Sequence, residues 1–151
     1  MIDIKRFREY LVELMVYTNE ESSADVQIEG VAIGVHQGHM IKKLKDKSGI
    51  WLCANYPDAV MSGTDDQHSD RNKVVLFLME KVSSGQHTDD EELDHYAKMQ
   101  HLFLILRKYL LNNSASCGQF VTGEALEQEW EYDIFGGWNG LSVMFNLNDY
   151  D

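Results

Sequence analysis

The stretch that most constrains this chain is residues 126–148, LEQEWEYDIFGGWNGLSVMFNLN. Leu126, Gln128, Trp130, Tyr132 and Ile134 alternate with Glu127, Glu129, Glu131 and Asp133. Further on, Leu141, Val143, Phe145 and Leu147 alternate with Ser142, Met144, Asn146 and Asn148. A strand sends successive side chains to opposite faces, so period-2 alternation marks a half-buried strand. Asn139-Gly140 is a type I′ turn signal, and Gly136-Gly137 permits a bulge beside it. The run therefore predicts an antiparallel hairpin, 126–134 against 141–147. Trp130, Tyr132, Val143 and Phe145 should face a core, and the four carboxylates should face outward.

The rest of the chain supplies elements for that hairpin to pack against. Residues 3–18 read as an amphipathic helix capped by Asp3, with Ile4, Phe7, Leu11, Leu14, Met15 and Thr18 on one face. Residues 26–35 are β-rich, and their apolar parity flips at Gly30, which suggests a bulge or bend. The basic segment 36–47 carries no clear assignment. Residues 50–56 read as a short strand stopped by Pro57, and 62–72 as a polar loop. Residues 74–79, VVLFLM, are apolar on both faces. That fits a central strand covered on both sides, or one whose second face meets another subunit. Thr88 to Glu91 is a capping box opening a long helix to about residue 112. Its expected apolar stripe runs through Leu93, Tyr96, Ala97, Gln100, Phe103, Leu104, Leu110 and Leu111. The expected fold is one α+β domain over 1–151, with two helices, a mainly antiparallel sheet and the C-terminal hairpin.

With 151 residues, 44% of them apolar, a core can form without disulfide or metal staples. The net charge of −12 argues against binding nucleic acid through its phosphates. Basic residues cluster early, at Lys5, Arg6, Arg8 and at Lys42, Lys43, Lys45, Lys47, while acids dominate the second half. Such an uneven map favours head-to-tail self-association as well as solvation. The two cysteines, Cys53 and Cys117, and an N-terminus without an apolar signal core suggest a reducing, intracellular setting. No run approaches the roughly 20 apolar residues that span a bilayer.

Each candidate for chemistry competes with a plainer reading. Asp65, Asp66, His68 and Asp70 could hold a cation, but Arg71 stands where a calcium loop needs glycine. His36 with His39, and His87 with His95, lack the further ligands a zinc site requires, and His95 and His101 read as helix-surface residues. Cys117, in SASCGQF, has no nucleophile-elbow context, and there is no phosphate-binding glycine loop. The row Glu127, Glu129, Glu131, Asp133 is too flat for a glycosidase pair. It reads as a solvated face or as a protein-binding face for a basic partner. Neither a catalytic residue nor a cofactor is expected.

KVVLFLMEK, then LDHYAKMQHLFLILRKYL, then EQEWEYDIFGGWNGLSVMFNLN with its Gly137-Trp138 pair, resembles tail-terminator, tail-completion and head–tail neck proteins of long-tailed phages and prophages. The resemblance covers roughly residues 73–148. It implies a non-enzymatic virion protein, found in the bacterial cytoplasm or the virion, that forms rings with itself and with other tail or neck proteins. An acidic ring lumen would repel DNA phosphates and not trap them. Two other classes remain open. One is a small intracellular adaptor using the acidic hairpin face. The other is an enzyme or small-molecule-binding domain assembled around Trp51, Tyr56, Trp130 and Trp138.

Overall fold

The computed structural model describes residues 1–82, 87–112, 119–120 and 125–149. Helix α1, Ile4–Glu21, starts at Asp3, whose Oδ1 accepts the amides of Lys5 and Arg6 at 2.9 and 3.2 Å. Those bonds satisfy two of the donors a helix start leaves unpaired. Phe7, Tyr10, Leu11, Leu14 and Thr18 form its buried stripe, while Ile4 is exposed. At the helix end Asn19 grips the backbone of Ile28, giving its Nδ2 to the carbonyl at 2.9 Å and accepting the amide at 2.7 Å.

Strand β1, Ile28–Gly34, leads through helix α2, Gln37–Leu44, into strand β2, Ile50–Asn55. The two strands pair in parallel, with the register shift between Ile28 and Gly30 that the parity flip suggested. A parallel pair needs a long crossover, and α2 supplies it from the segment that sequence pattern left unassigned. Gly30 is required here because the Trp51 ring lies across it; a Cβ would sit 2.6 Å from that ring.

Strand β3, Asp58–Thr64, and strand β4, Gln67–Lys81, form a hairpin turning at Asp65-Asp66. The expected polar loop at 62–72 is therefore incorrect. Its residues are polar because the hairpin is an arm with most side chains in water, Val60 and Met61 included. Along the same edge of β4, β2 pairs over Leu76 to Glu80. The other edge of β4 pairs from Asp70 to Lys81 with strand β7, Trp138–Asp149. Beyond β7 lie strand β5, Gln119–Phe120, and strand β6, Glu127–Ile134. Among the described residues this is one seven-stranded sheet, antiparallel except for β1 with β2. The class is α+β, with three helices among the described residues and not two. None of the described helices is long and apolar enough to cross a membrane.

The sheet separates two cores. Val74, Leu76 and Leu78 of β4 join Leu141, Val143, Phe145 and Leu147 of β7 under α1 and helix α3, Asp89–Asn112. Met79, with Phe77 packed beside it, faces the other way, into a smaller core with Met40, Leu44, Cys53 and Trp138. The two-sided apolarity of 74–79 is thus that of a central strand, and α2 covers its second face.

Thr88 caps α3: its Oγ1 accepts the Glu91 amide at 3.2 Å and donates to Glu91 Oε1 at 3.3 Å. The buried stripe is Met99, Leu102, Phe103, Leu106 and Leu110. Phe103 and Leu110 of the expected stripe are buried, but its Leu93, Leu104 and Leu111 are exposed. HLFLILRKYLL is apolar on almost every side, so several stripes fit a 3.6 period and contact with the sheet selects one.

The C-terminal hairpin forms, but its turn is Phe135 to Gly137, and Asn139-Gly140 lies inside β7. Asp133 and Phe135 adopt φ of 49° and 50°, beside Gly136 and Gly137 at 84° and 100°. Asn139 still serves the turn from within the strand. Its Oδ1 accepts the Asp133 amide at 2.8 Å, and its Nδ2 donates to the Gly137 carbonyl at 3.2 Å. Gly140 sits mid-sheet, where a Cβ would collide with the Leu78 carbonyl and lie 3.0 Å from Met79 Cα. Gly140→Ala should therefore destabilise the fold by about 3 kcal/mol in urea unfolding. Gly136→Ala, with open space around it, should cost about 1 kcal/mol through its positive φ. Equal costs would return the turn to Asn139-Gly140.

Candidate functional site

Strand β6 is an edge of the sheet, and its two faces differ in chemistry. Pairing with β7 sets Gln128 opposite Val143 and Trp130 opposite Leu141, on the face that carries α3. Glu127, Glu129 and Glu131 lie opposite Met144, Ser142 and Gly140, on the other face. The expected division of faces therefore holds from Glu127 to Glu131, but the expected burial of Trp130 and Tyr132 does not. Trp130 is 56% exposed and Tyr132 66%, because β6 extends past the cover that α3 gives β7. Val143 and Phe145 are buried as expected.

The acidic row is shorter than the sequence pattern implied. The register shift between Glu131 and Ile134, with Asp133 left-handed, breaks the alternation. Asp133 leaves the row and lines a cleft beside α3. Ile134 crosses to the second core with Phe135, whose ring meets Phe77 edge-on at 5.1 Å. Of the remaining three carboxylates, Glu127 and Glu129 are exposed. Glu131 is half-buried and accepts the Ser142 hydroxyl at 2.7 Å. Glu127 also shares a shallow hollow with Arg71 and Lys73 of β4, so cations of the same chain answer part of the row.

On the opposite face, the first half of α3 and the hairpin enclose a cleft of about 440 Å³. Tyr96 and Tyr132 wall it, Glu91, Glu92 and Asp133 rim it, and Glu80 lies within it. Tyr96 spans the cleft, donating its hydroxyl to the Glu131 carbonyl at 2.8 Å and meeting Trp130 edge-on at 5.6 Å. Next to it, Leu93, Tyr96, Trp130 and Tyr132 line a shallow aromatic groove edged by Glu92. Sequence analysis missed this groove because it joins residues more than thirty positions apart. The exposed leucine at position 93 could have signalled it only if the α3 stripe had been placed correctly.

Glu80 is the electrostatic centre of the cleft. Lys98 Nζ donates to its Oε1 at 2.7 Å, and His95 Nε2 lies 3.3 Å from the same oxygen. His95 is thus mostly buried beside Glu80, not a helix-surface residue, and its buried Nε2 has no aligned hydrogen bond. The imidazole, then the Lys98 ammonium, hold the Glu80 carboxyl below the usual range, against the opposing effect of burial.

The remaining candidates are placed apart. His36 Nδ1 accepts the His39 amide at 3.2 Å, and His39 Nδ1 accepts the Val35 amide at 3.0 Å, so both rings cap backbone at the start of α2. His87 pairs with Glu91 at 3.0 Å. Asp65 and Asp66 turn the β3–β4 hairpin, and the Asp70 carboxylate holds the Met1 amine. No group of three or more His, Cys, Asp or Glu among the described residues is arranged to hold a metal. Cys53 is buried in the second core, and burial pushes its thiol up to about 12. Cys117 lies outside the described residues. The four aromatics considered for a ligand site do not converge. Trp138 is buried, Trp51 packs on the same core, Tyr56 joins Trp51 near β1, and Trp130 lies at the far edge. No protein-family model matches this chain, and no curated protein matches it.

Two outcomes follow from this chemistry. Glu80 has a lowered folded pKa, so its contribution is present above the unfolded value of about 4.5 and lost as pH falls through the folded one. Glu80→Gln should cost about 1–2 kcal/mol at pH 7, and the gap to wild type should narrow on acidification below pH 4.5. Urea unfolding at several pH values measures this, and a gap that widens in acid would contradict it. In a Cys117→Ser variant, Cys53 should resist an aromatic disulfide reagent at pH 8 until denaturant is added, because a protonated buried thiol is inert.

Proposed function

We propose that this chain is a non-enzymatic structural protein of a phage-like tail or neck, acting as one subunit of a ring. The observation that carries the reading is β6: an edge strand exposed on both faces, with carboxylates on one and Trp130 and Tyr132 on the other. Exposed aromatics grouped at a sheet edge are a contact surface for protein, since Trp and Tyr are enriched where partners bind. The β3–β4 arm supports the same reading, because among the described residues β3 pairs only with β4 and leaves Val60 and Met61 in water. An arm without a core of its own gains stability by lying on a neighbour.

The assignment to a virion rests on the resemblance over residues 73–148. Its elements are in order here: a central strand β4, the capped helix α3, and a hairpin whose last strand begins at Trp138, directly after Gly137. A net charge of −12 suits a wall past which DNA must slide. The reading needs no active site. The alternative is an adaptor that presents the same edge to a basic partner within the cell, and the partners themselves separate the two. Affinity capture of the tagged chain from the source cell or virion should recover capsid, neck or tail proteins. Recovery of metabolic enzymes alone would overturn the structural role.

A further inference from the structure

The two ends of the sheet carry complementary chemistry. At the β6 end, Leu93, Tyr96, Trp130 and Tyr132 form the aromatic groove edged by Glu92, and Asp133 lines the cleft beside it. At the β1 end, Arg8, Lys43 and Lys47 surround a hollow of about 340 Å³ with Trp51 and Tyr56. Lys47 Nζ lies 5.3 Å from the centre of the Trp51 ring, and Lys43 Nζ lies 5.9 Å from that of Tyr56. Strand order places these surfaces at opposite edges, β1 first and β6 beyond β7. One chain therefore cannot bring them together.

We infer that the aromatic groove beside β6 receives the basic β1 edge of a second copy, in a head-to-tail contact. This rests on the ring-subunit reading above and names the surfaces it would use. Three features favour a second copy as the occupant. The charges are opposite, and close opposite charges steer and orient association. The cations come with aromatic neighbours, and Arg or Lys set over Trp130 and Tyr132 gains a cation–π contact that a bare ion pair lacks. The surfaces are also different from one another. A contact between unlike surfaces leaves each copy with one free groove and one free edge, so it propagates into a ring or an open row. A symmetric pair would stop at two.

Two variants separate the surfaces. Glu92→Lys with Tyr132→Ser alters the groove at exposed positions. Arg8→Glu with Lys47→Glu alters the edge, again at exposed positions. Circular dichroism should show both folded. Wild-type mass, read by light scattering up to about 1 mM, should rise with concentration. The rise should weaken between about 50 mM and about 500 mM salt. Each variant alone should associate at least about tenfold more weakly. An equimolar mixture should recover a two-chain species, because the groove variant keeps an intact edge and the edge variant an intact groove. Wild type that stays monomeric at low salt, variants that associate like wild type, or a mixture that stays monomeric would each overturn this contact. Capture of tail or neck proteins would survive those results, so failure of the contact and failure of the ring-subunit reading are distinguishable.

Discussion

Everything in this fold is hung on the pairing of β4 with β7. From Asp70 to Lys81 one strand runs against the other without a break, and every other strand except β1 is added to one of these two. The ladder also decides which core each side chain enters. Even positions of β4 meet odd positions of β7 under α1 and α3, and the remaining positions face α2 or water. A one-residue slip would exchange the two sets, so the alternation of both strands fixes the register. Asn72 reinforces it from inside, giving Nδ2 to the Leu147 carbonyl at 3.2 Å and accepting the Ile2 amide at 3.1 Å.

The chemistry of the β6 edge depends on one irregularity. Were β6 regular to its end, Asp133 would extend the acidic row and Ile134 would follow Trp130 onto the α3 face. The left-handed turn at Asp133, held by Asn139, sends the carboxylate toward α3 and Ile134 into the second core. The hairpin tip is thereby anchored by apolar packing, while the strand before it stays exposed. A rigid tip beside an exposed aromatic strand is what a contact surface needs, because little ordering cost remains to be met on binding.

Charge in this protein is arranged more by segment than by sign alone. Arg8, Lys43 and Lys47 gather near β1, and Glu91, Glu92, Asp94 and Asp133 gather at the other end. Surface pairs of this kind contribute little individually and weaken with salt. Affinity between copies must then come mainly from aromatic burial, with charge setting orientation and rate. A weak contact of that type is suited to assembly on a template, where neighbours raise the effective concentration.

Local pattern alone determined the elements whose signals are steric or capping effects within a few residues. Asp3 and Thr88 started their helices, the parity flip at Gly30 marked a bulge, and the alternation from Leu141 to Leu147 set the inward face of β7. The carboxylates at 127, 129 and 131 were legible as one face for the same reason. What tertiary structure decided were choices that local pattern leaves degenerate. The leucine-rich part of α3 offered several stripes, and the sheet chose Met99 to Leu110. Asn139-Gly140 had the composition of a turn, yet close approach to Leu78 and Met79 required that glycine in mid-sheet. The polar run at 62–72 became a strand pair because a backbone ladder does not require apolar side chains. The groove of Leu93, Tyr96, Trp130 and Tyr132 left only a conditional trace in the sequence, an apolar Leu93 off the buried stripe of α3. It exists because α3 crosses beside β6 without covering it, and distance in the chain carries no record of that crossing.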